Sequence, residues 1–167
     1  MPDAIEQKLE EKHFIEDTGL FFEQLGMPRM AGRILGALLI ADQPAQSITD
    51  IAQVLQASKS SISIMARFLM ENGLIERVPS PMPRRDYYRF KPGGWIQYMR
   101  HWLELWAALH QITERGMGLL NEKGARDTDR LLEAHDLFSL MENELPSILE
   151  KLETERRRRS PKRDKSR

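Results

Sequence analysis

"ITDIAQVLQASKSSISIMARFLMENGLIERV", residues 48–78, decides the architecture of this chain. It reads as two short helices separated by about three residues, with Thr49 placed to N-cap the first, which ends near Leu55. Ser58 is placed to cap the second, which runs to Asn72, where Gly73 supplies the left-handed residue that ends a helix. Two helices joined so tightly form a helix-turn-helix corner. Ile51, Ala52, Leu55, Ala57, Ile62, Met65 and Leu69 are apolar or small at the spacing that closes such a corner. The second helix nevertheless opens with Ser58, Lys59, Ser60, Ser61 and Ser63, which a purely structural helix does not require.

In a helix-turn-helix the second helix enters the DNA major groove with its first turns toward the base edges. Hydroxyls and one ammonium offer hydrogen-bond donors there without bulk, and the free amides of the helix start favour a phosphate oxygen. Arg67, two turns on from Ser60, is long enough to reach a phosphate or a guanine edge from the same face. The plainer alternative is that Ser58 only caps the helix and the other serines face solvent. Winged helices also serve as protein-binding modules, so the corner alone does not require DNA.

Working outward, residues 74–78, "LIERV", read as a strand, residues 79–86, "PSPMPRRD", as a proline-rich turn, and residues 87–90, "YYRF", as a returning strand. A hairpin directly after the second helix is a two-stranded wing. Arg84 and Arg85 lie near its tip and suit a minor groove or its phosphates, a solvated loop being the alternative. Tyr87 and Tyr88 alternate faces, so one packs inward while the other faces solvent or phosphate.

Upstream, apolar residues from Asp3 to Leu25 recur at helical spacing, with Gly19 as a point of irregularity and Gly26 and Pro28 as a stop signal. A second helix is expected over residues 29–41, followed by a loop, "DQPAQS", at 42–47. Downstream, residues 94–123 carry Trp95, Met99, Trp102, Trp106, Leu109 and Ile112 on one helical stripe. Residues 127–155 place Leu131, Phe138, Leu145 and Leu152 seven apart, with Ala134, Met141 and Ile148 interleaved, the pattern of a helix packed along a partner. Pro146 is expected to bend or restart that helix. The end, "RRRRSPKRDKSR", has no apolar residue and reads as disordered.

The fold class expected is mainly α: a winged helix-turn-helix with N- and C-terminal dimerisation helices. The divisions are an N-terminal dimerisation helix (1–27), the winged head (28–92), a C-terminal helical dimerisation region (93–155) and a basic tail (156–167). An apolar content of 41% supports a core, and the absence of cysteine excludes disulfides, thiolate zinc sites and thiol sensing. Neither a leader segment nor an apolar run near twenty residues is evident, so the expected location is the cytoplasm, in association with the nucleoid, with no membrane partner.

Net charge is zero, but residues 59–91 hold seven basic and three acidic residues, 92–155 six and twelve, and 156–167 eight and one. A basic centre in an otherwise acidic body points to a polyanion partner, with a solvated basic surface as the alternative. The tail either adds nonspecific DNA affinity or keeps the chain soluble.

Two stretches resemble the MarR superfamily, and within it the GbsR-like bacterial transcriptional regulators. They are residues 14–42, "FIEDTGLFFEQLGMPRMAGRILGALLIAD", and residues 48–78, in which "ASKSSIS" and "NGLIERV" are the most specific parts. The resemblance covers about residues 10–125 and implies a homodimer whose flanking helices form the interface. It departs from the family at the wing, where three prolines stand in place of a glycine-containing tip. Some members of the group respond to choline or related quaternary ammonium compounds, which directs attention to the tryptophans. Trp95, Met99, Trp102 and Trp106 are candidates to line an effector pocket through their faces, core or dimer interface being the other reading.

His101, His110 and Glu114 are metal-ligand types, but nine residues separate the histidines on one helix, so a structural or surface role is expected and no metal. No phosphate loop, nucleophile elbow or carboxylate pair with a nearby base is present, so neither an enzyme nor a cofactor is expected. The resulting expectation is a homodimeric regulator, a repressor, bound to double-stranded DNA at an imperfect inverted repeat and open to a small effector. A winged-helix protein adaptor without specific DNA binding is the alternative.

Overall fold

A computed structural model of the chain describes residues 4–79, 85–122 and 128–159. Helix α1 spans Ala4–Gln24 and α2 spans Arg29–Ile40, and glycines set how closely they meet. A Cβ on Gly32 would lie 2.9 Å from the Gly19 Cα, the Phe22 Cβ and the Thr18 carbonyl oxygen, so the two backbones touch there. Helix α1 runs unbroken through Gly19; the irregularity expected at that glycine is absent because its role is packing, not bending. Gly26, at φ +83°, ends α1 as the stop signal indicated, with the Met27 N–H donating to the Phe22 carbonyl at 3.0 Å.

The corner follows: α3 at Ile48–Leu55 and α4 at Lys59–Glu71. Between them, Gln56 adopts a left-handed conformation (φ 51°) and Ala57 donates to the Ala52 carbonyl at 3.0 Å, which reverses the chain within three residues. Ile34 and Leu35 of α2, Ile51 of α3, Ile62 and Leu69 of α4, and Leu74 are fully buried together. Ala57 and Met65 are only half-buried, and Ala66, outside the expected set, is fully enclosed. Gly73, at φ +71°, ends α4 as expected.

Two local expectations are corrected. The N-cap of α3 is Ser47, not Thr49, because Asp50 stands three residues after Ser47 and completes a reciprocal capping box with it. The segment "DQPAQS" is not all loop: Gln46–Ser47 form a short strand β1, antiparallel to β3. With β2 at Ile75–Val78 and β3 at Tyr87–Phe90, the sheet has three strands in the order β1-β3-β2, so the wing is fastened on its far side as well. Tyr88 is the inward member of the tyrosine pair, 5% exposed.

The chain divides into two compact units, Met1–Gly94 and Trp95–Arg167. The second is built on α5 (Gly94–Glu122) and α6 (Asp129–Arg159), which run antiparallel. Arg100 pairs with Glu153 at 3.0 Å and His110 with Glu142 at 2.5 Å. A Cβ on Gly116 would lie 2.7 Å from Leu131 Cδ2, so that glycine brings the two helices close. Helix α6 continues through Pro146 without a restart. It also passes the expected boundary at 156 and includes Arg156–Arg159, where Arg157 pairs with Glu153 and Arg159 with Glu155 one turn back. The rest of the basic tail lies outside the described residues. Among the described residues, no helix is long and apolar enough to cross a membrane.

The glycine contacts give opposite expectations for two alanine substitutions. Gly32→Ala is expected to lower the unfolding free energy by about 1–3 kcal/mol through overpacking. Gly118→Ala, whose new Cβ meets nothing within 4 Å, is expected to raise it by about 0.5–1 kcal/mol through helix propensity. Urea denaturation of the two variants reads both signs.

Candidate nucleic-acid interface

Ser58 starts α4. Its Oγ accepts a hydrogen bond from the Ser61 backbone N–H at 3.2 Å and lies 3.0 Å from the Ser60 Oγ. The structural role of Ser58 is therefore real, and it leaves the hydroxyl proton available as a donor. Lys59 and Ser60 are exposed and Ser63 is half-exposed. These three, with Ser47, Ile48 and Thr49 from the start of α3 and Arg85 and Asp86 from the wing, line an open cleft of about 360 Å³. Arg67 is exposed one turn beyond Ser63. Ser61 is half-buried with its amide spent on the cap, and it does not line the cleft. Arg84 lies outside the described residues.

Charge pairing sorts the cations of this region into two groups. Arg89 binds Glu76 at 2.7 Å across β2 and β3, and Arg77 pairs with Asp86, so both are neutralised within the sheet. Among the described residues, Lys59, Arg67 and Arg85 form no ion pair. Three cations outside any ion pair among the described residues, beside the amides of a helix start, favour an anion at this face. Tyr88, beneath the sheet, has its phenol pushed up first by burial and next by Asp86.

Two fastenings hold this face. The Asp50 carboxylate accepts from the Ser47 N–H at 3.0 Å and from the Ser47 hydroxyl at 2.7 Å, and the Asp50 N–H donates to the Ser47 Oγ at 3.2 Å. Those bonds, the side-chain one first, hold the Asp50 carboxyl below its ordinary value, with Arg85 adding to the effect. At the other end of α3, Arg33 donates to the Leu55 carbonyl at 3.1 Å while binding Glu16 of α1 at 2.7 Å. One guanidinium thereby satisfies a helix C-terminus and ties it to α1.

Two residues of this face are not assigned to it from sequence. Thr49, read as a cap, instead lines the cleft. Ile64 is 60% exposed on α4, near Ser60 and Arg67 in helical phase. The signal for Ile64 was present, since it falls two residues after buried Ile62 and so on the opposite side of the helix from the Ile62, Ala66 and Leu69 stripe.

In the second unit, Trp102 and Trp106 are half-buried with ring centroids 6.3 Å apart and planes tilted by 44°. Tyr98, outside the stripe expected from sequence, is buried and meets Trp102 edge-on at 6.3 Å. Trp95 is 40% exposed and Met99 half-buried. His101 is exposed beside Glu104. His110 and Glu114 are joined not by His101 but by His135 of α6.

A MarR family model matches residues 25–86, which contain the corner and the start of the wing. A second model, described as an MmpR5-like MarR family transcriptional regulator, matches residues 93–155. The HTH-type transcriptional regulator MmpR5 of Mycobacterium tuberculosis (strain ATCC 25618 / H37Rv) is 35% identical over 136 residues, covering 81% of this chain and 82% of the relative. The chain belongs to the MarR family of transcriptional regulators. A crystal structure of a transcriptional regulator superposes on this MarR-family chain with a TM-score of 0.71 and 33% identity, over 87% of this chain and 99% of the other. The HTH-type transcriptional repressor OpcR of Bacillus subtilis (strain 168) is 24% identical over 142 residues, 85% of this chain and 74% of the relative. The mainly helical winged architecture and the MarR resemblance thus agree with the relatives, and the family is one of regulators, not of enzymes. The C-terminal model bears the MmpR5-like name.

The capping box gives a pH-dependent expectation. A carboxyl with a lowered folded-state value stabilises fully above the unfolded carboxylate range, about pH 4, and loses that contribution as pH falls through the folded value. Ser47→Ala is expected to cost about 0.5–2 kcal/mol at neutral pH, as lost N-caps do. In urea denaturation the gap between wild type and variant should narrow on acidification below about pH 4.

Proposed function

We propose that this MarR-family chain is a homodimeric, sequence-specific DNA-binding regulator, most directly a repressor, whose reading face is the N-terminal half of α4 with the wing. The observation that carries this reading is the cleft shared by Lys59, Ser60, Ser63 and Arg85, with exposed Arg67 on the next turn. Hydroxyls and cations there match the donors needed for base edges and phosphates, while Ser58 and Ser61 hold the helix start. Arg84, next to Arg85 in sequence, belongs to the same proposed face. Ile64 adds an apolar surface suited to a thymine methyl group.

Dimerisation is supported by apolar surface. Ile5, Leu9 and Phe21 of α1 are 77%, 50% and 57% exposed, and Ile112 and Leu119 of α5 and Leu140 and Leu152 of α6 are each about half exposed or more. Large apolar side chains in such number mark surface that a partner covers. Two heads related by a two-fold axis would place their α4 helices in successive major grooves about 34 Å apart, over an imperfect inverted repeat. Repression is the direction that a relative named as a repressor supports. We infer a cytoplasmic, nucleoid-associated location from the proposed action on DNA. The GbsR-like placement within the family rests on "ASKSSIS" and "NGLIERV".

An effector, if a quaternary ammonium, would meet the ring faces of Trp102 and Trp106 beside Trp95 and Met99. It would act through unequal affinity for two arrangements of the dimer. Titration of the tryptophan fluorescence with choline tests this pocket: a saturable change is expected, and none would contradict it.

Fluorescence anisotropy of the full chain on DNA from upstream of its own gene, against shuffled DNA over a range of salt, tests the reading. Preference for the native sequence that survives at salt where shuffled DNA is released is expected. Arg67→Ala should weaken operator binding by about 1–3 kcal/mol if it reads a base, or lower the salt slope by about one if it meets a phosphate. Affinity and slope both unchanged in a folded Arg67→Ala dimer would remove α4 from the reading face. Equal, weak binding of both DNAs would favour the adaptor alternative.

A further inference from the structure

We propose that the second unit carries a divalent transition-metal site formed by the His110 and His135 imidazoles and the Glu114 carboxylate, with Glu142 as its positioning residue. His110 and Glu114 are one helical turn apart on α5, so their side chains leave the same face. The antiparallel course of α6 brings His135 against them, and one ligand atom from each of the three lies within 4.8 Å of the others. No reading of spacing along α5 alone finds this set, because its third member comes from the neighbouring helix.

The hydrogen bonds around the two rings decide which nitrogen each presents. His110 Nδ1 lies 2.5 Å from Glu142 Oε2, and an ionised carboxylate only accepts, so the proton of the neutral ring sits on Nδ1. Its Nε2 then carries a lone pair. His135 Nδ1 faces Asp136 Oδ1 at 3.4 Å, a weaker contact that biases its ring the same way. The two Nε2 atoms lie 3.4 Å apart, with the ring planes inclined at 60°. Two lone pairs at that separation repel unless a proton or a metal ion is held between them.

The spacing also suits a metal. Two imidazole nitrogens, each about 2.0–2.1 Å from an ion at a tetrahedral angle, stand about 3.3 Å apart. Glu114 is exposed and its side chain is free to swing an oxygen toward the pair. His110, with 17% of its side chain exposed, is half-enclosed between the helices, and the His135 side chain is 29% exposed. Two nitrogens and one oxygen favour a borderline ion such as Zn²⁺, Co²⁺ or Ni²⁺ over Mg²⁺ or Ca²⁺, which take oxygen ligands. Three protein ligands leave a fourth position for water. The contact from Glu142 is the carboxylate–histidine support that fixes the ring of a ligating histidine.

The test is Zn²⁺ titration of the full chain, without a histidine tag, against a chromophoric chelator, together with Co²⁺ absorption. One ion per chain is expected, with a Co²⁺ spectrum of four-coordinate intensity. His135→Gln and Glu114→Gln should each weaken Zn²⁺ binding by at least tenfold, and Glu142→Gln by about 10–100-fold. His13→Gln and His101→Gln, at exposed histidines outside the set, should leave it unchanged. Zn²⁺ should also raise the melting temperature of the wild type and not of His135→Gln, as a ligand of the folded state alone must. Circular dichroism confirms that each variant is folded, and His135→Gln, at the more exposed ring, serves if His110→Gln is not. No Zn²⁺ binding by the wild type, or equal binding by His135→Gln, overturns the site and leaves a proton shared between the two rings. Loss of binding in His101→Gln instead would also overturn it. Operator binding is not part of this test, so failure here leaves the reading of α4 untouched.

Discussion

The proposed reading face depends on Ser47. Its hydroxyl and backbone close the capping box with Asp50 that starts α3, and as the last residue of β1 it is paired in register with Tyr87 of the wing. One buried serine, 2% exposed, therefore sets both the start of the first corner helix and the position of the returning strand. The cleft that gathers Lys59, Ser60, Ser63 and Arg85 includes Ser47 itself. Capping and strand pairing are short-ranged and directional, which is why they fix a wing against a helix start more sharply than apolar burial does.

Charge is distributed with equal economy. The sheet keeps Arg77 and Arg89 in ion pairs with Asp86 and Glu76, while among the described residues Lys59, Arg67 and Arg85 form none. Exposed ion pairs add little stability. Their effect here is to remove two cations from the field and concentrate what remains where the helix amides already favour an anion. The zero net charge of the chain conceals this arrangement, because the acidic residues that balance it lie mainly elsewhere in the sequence.

The corner was legible in the sequence because it is made of local signals: Ser58 before a helix, Gly73 after it, and apolar residues at helical spacing between. Most of what escaped depends on partners distant in sequence. Nothing in "DQPAQS" announces that Gln46 and Ser47 will pair with Tyr88 and Tyr87, whereas the Ser47 cap had a local signal, Asp50 three residues on. Gly19 reads as a break until Gly32 is seen against it. His135 is an unremarked histidine until α6 folds back along α5 and places it beside His110. Ile64 was available from phase alone, being out of step with the buried stripe of its own helix.

The central claim is that two copies of α4 read one operator from successive major grooves. Hydroxyl-radical footprinting of the full chain on DNA from upstream of its own gene tests this most directly. The account predicts protections on one face of the duplex, repeated at about one helical turn, roughly 10 base pairs, and centred on an imperfect inverted repeat. Protection without such spacing or centre, at concentrations that saturate the DNA, would contradict it.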